Sequence, residues 1–214
     1  MLKKTTAVLA ILINMPLSLW AARPFITDDA GTVEQFGFEL ECTSDYWKDL
    51  ALFGATLKHG LTDRMDLGVA FGYLTAPLRM KAAQPLEISL KYNFIPEHLS
   101  VSATGVFASA TYIINAIYSH DFKVLSGHAN LGFEATGESR DVILTYGLAA
   151  VFKIGITAIG AELGGADKDL NWWQIGAQLN LWDWLAFDSG LGGEFNKNMN
   201  LYVTSGLWFF FGGR

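Results

Sequence analysis

The chain of 214 residues has a single cysteine, Cys42, and only five prolines. One cysteine closes no disulfide within the chain, so the fold must hold without covalent staples. Basic residues are also scarce, at 15 Lys and Arg against 21 Asp and Glu. No clustered positive surface results, and a nucleic-acid partner is excluded because phosphate binding needs one. Long apolar runs are missing too. The only one, Ala7 to Trp20, spans 14 residues and is shorter than the ~20 that cross a bilayer as a helix.

That run has a different reading. Lys3 and Lys4 precede it and Ala21 and Ala22 follow it, the layout of a cleaved export signal over residues 1–22. Without the two lysines the remaining chain carries 13 basic and 21 acidic residues, a net charge of −8. The full chain is 51% hydrophobic with 22 glycines, which a soluble, weakly patterned domain does not explain. A chain that is exported, apolar and without transmembrane helices points to strands that alternate.

Alternation is present. Leu86, Ile88, Leu90, Tyr92 and Phe94 fall on one face, with Glu87, Ser89, Lys91 and Asn93 on the other. Trp173, Ile175, Ala177, Leu179 and Leu181 likewise oppose Gln174, Gly176, Gln178 and Asn180. The windows around Phe36–Thr43 and Asp66–Tyr73 repeat the period of two, which no helix shows. Applied along the chain, the pattern predicts an all-β fold. It is a transmembrane antiparallel up-and-down barrel of about 12 strands (10 or 14 as alternatives), with both termini periplasmic. The strands fall near 35–46, 50–59, 65–75, 86–95, 99–109, 111–119, 123–135, 141–153, 154–164, 171–181, 185–194 and 200–211. Residues 35–214 form the barrel. Residues 23–34 precede it as a periplasmic or plugging segment.

Connections are predicted to alternate between tight and longer. Tight ones include Gly60–Arg64, His120–Phe122, Lys153–Gly155 and Trp182–Trp184, and longer ones include Asp45–Leu50, Ala76–Pro85 and Gly164–Leu170. Short turns facing the periplasm are the habit of outer-membrane barrels. Aromatic residues are expected in two girdles at the headgroup levels. Phe36, Tyr92, Phe94, Trp182 and Trp184 fall at one end, and Tyr46, Trp47, Phe53, Tyr73 and Tyr112 at the other.

If the apolar stripe faces lipid, the opposite face lines the lumen. The residues expected there are Glu39, Glu41, Lys58, Glu87, Lys91, Asn93, Glu134, Glu162, Gln174, Gln178, Asn180 and Asp188. Six carboxylates against two lysines describe a polar, mildly cation-preferring passage, or a lumen plugged by its own paired charges. Asp28 and Asp29 lack the additional oxygen ligands a calcium site needs, so no metal and no cofactor is expected. An outer-membrane lipid hydrolase would need a serine and a histidine facing outward near the membrane rim. Ser119 and His120 are adjacent and point to opposite faces. Ser126 and His128 share the predicted lumen face, so an enzyme is not the expectation.

Three segments resemble a known family. Arg23–Glu34 running into Phe38–Glu41, the hairpin His59–Val69, and Ile88–Phe94 are similar to the outer-membrane transporter family of the MetA pathway of phenol degradation. The resemblance covers about the first half of the chain. It implies an outer-membrane location and passage of small hydrophobic or aromatic solutes. The surroundings it implies are outer-membrane lipid, with periplasmic chaperones and the barrel-assembly machinery as partners. The tail departs from the usual barrel-assembly signal, because Phe211 is followed by Gly212, Gly213 and Arg214. The alternative reading is a structural or interaction barrel with a filled lumen.

Overall fold

The computed structural model describes residues 25–75, 81–137, 142–195 and 200–213. The export signal expected over residues 1–22 and the first half of the Ala76–Pro85 connection lie outside them, while the second half contributes the short strand Lys81–Ala83. Among the described residues there are thirteen strands and no helix. In chain order they are β1 Gly37–Trp47, β2 Leu50–Thr62, β3 Met65–Thr75, β4 Lys81–Ala83, β5 Glu87–Ile95, β6 Leu99–Val106 and β7 Thr111–Phe122. They continue as β8 Leu125–Thr136, β9 Val142–Ile154, β10 Thr157–Ala166, β11 Asp169–Trp182, β12 Leu185–Glu194 and β13 Leu201–Gly212.

All pairings between them are antiparallel. Strands β4 and β5 both pair with β3 and together form one wall strand, interrupted at 84–86. Strand β1 pairs with β2 on one side and with β13 on the other, from Gly37 opposite Gly212 to Trp47 opposite Tyr202. The sheet therefore closes on itself as a barrel of twelve wall strands. Closure pairs the long wall strands on both sides, as a bilayer core demands because it has no water to satisfy free backbone groups.

The burial pattern is inside out. Among the described residues, twenty buried side chains are polar or charged and only nine are apolar. Large apolar residues such as Phe71, Ile114, Phe133, Leu148 and Trp182 are exposed on the outer face. A water-soluble barrel would reverse this, since apolar burial drives its folding; a polar interior under an apolar exterior is the pattern of transmembrane barrels.

Turn chemistry sets the strand lengths. Strand β7 runs three residues beyond its expected end, because the tight turn is Lys123–Val124 and not His120–Phe122. Lys123 adopts the left-handed backbone conformation (φ 59°) that two-residue hairpin turns require. Gly155 (φ 59°) does the same between β9 and β10. The connection expected over Gly164–Leu170 shrinks to Asp167–Lys168, with Asp167 at φ 53° and its Oδ1 accepting from Leu144 N at 3.1 Å. At these described turns little loop material stands above the wall.

Candidate functional site: the lumen and the segment inside it

Residues 25–34 run inside the barrel. Phe25, Thr27, Ala30 and Val33 are buried, and their backbone is held by wall side chains. The two Glu162 oxygens accept from Ile26 N at 2.6 Å and Thr27 N at 2.7 Å. Ser119 Oγ accepts from Ala30 N at 2.8 Å, and Asp66 Oδ2 from Val33 N at 3.0 Å. Asn93 Nδ2 and Ser100 Oγ both donate to Ala30 O, at 3.1 and 2.5 Å. Asn130, with its amide oriented to satisfy both groups, accepts from Asp28 N at 2.7 Å and donates to Asp28 O at 2.9 Å. A segment without regular structure thus finds partners for its backbone, as buried polar groups must.

The wall is hollowed where the segment crosses it. A Cβ on Gly60 would lie 1.9 Å from the Glu34 carbonyl oxygen. One on Gly147 would lie 2.7 Å from Thr27 Oγ1, and one on Gly160 would lie 2.6 Å from the Phe25 ring. Three glycines on three strands clear the path for one segment. The segment then joins β1 through a parallel bridge between Gln35 and Gly60 and through Phe36, whose φ of 62° turns the chain into the wall.

Two lysines organise the charge. Lys58 Nζ donates to Glu39 Oε1 at 2.7 Å and Glu41 Oε1 at 3.1 Å. Lys91 Nζ reaches the segment, donating to Asp28 Oδ1 at 3.2 Å and Asp29 O at 2.6 Å. Of the other residues expected to line the lumen, Glu87, Asn93, Glu134, Glu162, Gln174 and Asp188 are buried and Gln178 is partly so. Asn180 is exposed, lying beside the irregularity that ends β11. The expectation omitted Asp45, Asp66, Thr56, Ser100 and Ser119, all buried.

Trp47 sits differently from its expected place, whereas His128 keeps the expected lumen face and finds its partner on the neighbouring strand. Trp47 is partly buried and stacks at 5.6 Å on Tyr202, whose hydroxyl donates to the buried Gln174; it belongs to the inner wall and not to the outer girdle. His128 has Ser119, its cross-strand neighbour, as hydrogen-bond partner at 2.8 Å; Ser126 instead donates to Asp121. The Ser119 hydroxyl also receives Ala30 N, which places it behind the segment.

A cavity of about 380 Å³ remains beside the segment, reached by Glu39, Glu41, Lys58, Lys91, Gln178 and Trp208. That is within the size range of small-molecule sites.

Burial pushes the Asp28 carboxyl up to about 6, against the pull of Lys91 and with the help of neighbouring Asp29. The sign follows from linkage: a carboxyl with a raised value stabilises the packed segment below its ordinary value near 4 and loses that contribution as pH passes 6. The segment is therefore expected to sit more tightly at pH 5 than at pH 7.5. Bilayer conductance should rise over that interval, and Asp28→Asn should hold it at the low value throughout. An unchanged pH profile in Asp28→Asn would show that another group governs the step.

No family model matches the chain, and no curated protein matches it. Solved structures do. An outer membrane channel from Pseudomonas putida F1 superposes with a TM-score of 0.59 at 13% identity, covering 86% of this chain and 97% of that one. The KdgM porin gives 0.62 at 10% identity, covering 81% and 99%. The outer membrane protein Omp33 of Acinetobacter baumannii gives 0.54 at 12%, covering 85% and 100%. At such identities the likeness is one of fold, and the fold shared is the closed antiparallel barrel of outer-membrane channels and porins.

Proposed function

We propose that the chain is an outer-membrane channel that admits small solutes with a preference for cations, its bore narrowed by residues 25–34. The observation that carries this is the inner wall, where ten acidic side chains lie on or against the lumen face (Asp28, Asp29, Glu39, Glu41, Asp45, Asp66, Glu87, Glu134, Glu162 and Asp188), while Lys58 and Lys91 are the buried or half-buried lysines among the described residues. Rings of carboxylates raise the local cation concentration and repel anions. The apolar outer face and the barrel-channel fold support a location in the outer membrane. On this reading the tight turns and both termini face the periplasm, residues 1–22 are removed on export, and chaperones and the assembly machinery handle the chain on the way. The hydrophobic or aromatic solutes implied by family resemblance find a polar bore, with ring contact offered by Trp47, Trp172, Tyr202 and Trp208.

The test is the reversal potential of the purified barrel in a tenfold KCl gradient. The expected K⁺ to Cl⁻ permeability ratio is above about 3; a ratio of one or less would remove the cation preference. A second reading, a filled structural barrel, is favoured by the number of bonds that hold the segment in place, and a barrel that conducts nothing even without the segment would establish it. Neither reading uses enzymatic chemistry: the Ser119–His128 pair is enclosed by the segment and faces away from lipid.

A further inference from the structure

Strand β1 carries a line of inward groups from the rim downward: Trp47, Asp45, Thr43, Glu41 and Glu39. Successive members are about 6.6–6.8 Å apart, the length of a two-residue step. At the bottom of the line an alkylammonium is already bound. Lys58 places its Nζ between Glu39 and Glu41, using one oxygen of each.

Directly above it the line is unfilled. Glu41 Oε2 and Thr43 Oγ1 are buried and have no hydrogen-bond partner among the described residues. Leaving a buried acceptor unmet costs about 1–3 kcal/mol, and a carboxylate oxygen can be met only by a donor. Glu41 also lines the cavity, and the Asp188 carboxylate packs over Gly206, the cross-strand neighbour of Thr43. What this position lacks is a hydrogen-bond donor, and an ammonium group supplies one of opposite charge.

The rim supplies a second kind of cation contact. Tyr202 lies over Gly192, where a Cβ would come within 2.4 Å of the ring, and Trp172 lies over Gly164, where it would come within 2.3 Å. Each ring rests against a bare patch of wall and is half-buried, so its other face is turned to the lumen. Trp47 and Tyr202 lie tilted 36° to each other on adjacent strands, so two ring faces stand above the acidic line of β1. Ring faces attract ammonium groups.

We propose that this half of the lumen binds a linear aliphatic polyamine in its protonated form, threaded from the ring faces of Trp47 and Tyr202 down past Asp45 to Thr43 and Glu41. A spacer of three or four methylenes sets neighbouring ammonium groups nearly one two-residue step apart, so each can meet one member of the line. Lys58, itself a four-methylene ammonium, marks the lower end and stops the chain there. A monoamine has the charge for one position only, and a metal ion cannot bridge the spacing. The inference rests on the lumen being the solute route proposed above.

The test is calorimetric titration of the full-length barrel in detergent with spermidine, and with butylammonium at matched ionic strength. Spermidine is expected to bind at least about tenfold more tightly. Thr43→Val, which keeps the shape and removes the hydroxyl, should weaken spermidine by about threefold. Trp47→Leu should weaken it by about fivefold, and both should leave butylammonium nearly unchanged. Equal affinity for the two amines, or spermidine affinity indifferent to Thr43→Val in a folded barrel, would overturn the site. Potassium conductance separates the two ideas. Binding in a non-conducting barrel keeps the site and removes the channel; conductance without preferential spermidine binding removes the site alone.

Discussion

Removing residues 25–34 is expected to raise the single-channel conductance about two- to threefold, because an irregular segment of ten residues occupies a bore that twelve strands leave open. A gentler form of the same experiment is Gly147→Val. A Cβ there would meet Thr27 Oγ1 at 2.7 Å, so the larger side chain pushes the segment off the wall without touching Glu162 or Lys91. Conductance should rise in both variants, and the deletion should rise further. The deletion releases Lys91 and Asp66 from the segment and keeps the wall carboxylates, so cation preference should persist while the bore widens. Unchanged conductance in the deletion would show that the segment lies clear of the ion path.

Lys58→Met is expected to cost about 3–5 kcal/mol of stability, the largest loss of any single change considered. It removes the shared partner of Glu39 and Glu41 and leaves two carboxylates facing each other in a buried setting. The triple change Lys58→Met, Glu39→Leu and Glu41→Leu should recover most of the loss, since a buried charge cluster is replaceable by apolar groups of similar size. Urea unfolding of the refolded barrel in micelles measures both. If the triple variant is as unstable as the single one, the lysine acts through packing and not through charge.

The barrel was legible in the sequence because alternation writes each strand's two faces into the chain. Leu86 to Phe94 names its lipid face and its inner face residue by residue, and the burial of Glu87, Ser89, Lys91 and Asn93 matches that division. Cross-strand partners were less legible, because they depend on where each turn is centred. Moving one turn from His120–Phe122 to Lys123–Val124 changes every pair in the β7–β8 hairpin, and it is this shift that sets Ser119 opposite His128. Trp47 was assigned to lipid because a tryptophan near a strand end usually sits at a headgroup level; its parity with Glu39 and Glu41 along β1 carried the correct answer. The path of residues 25–34 left no trace in local pattern. It is written in Gly60, Gly147 and Gly160, whose missing side chains have meaning only once the strands are assembled.

The position of that path has a consequence for the order of folding. Neighbouring wall strands meet through short hairpins, which close small loops. Two features do not. The β1–β13 seam joins Gly37 to Gly212, and the segment ties Ile26 to Glu162 across 136 residues and Ala30 to Ser119 across 89. Loops of that length carry the greatest closure entropy in the chain, so seam and segment are both late events. Because the segment leads directly into β1 through Phe36, the strand that seals the cylinder also draws its own tether inside as it docks. Assembly and internal obstruction are then one kinetic step, and a barrel newly sealed is already narrowed.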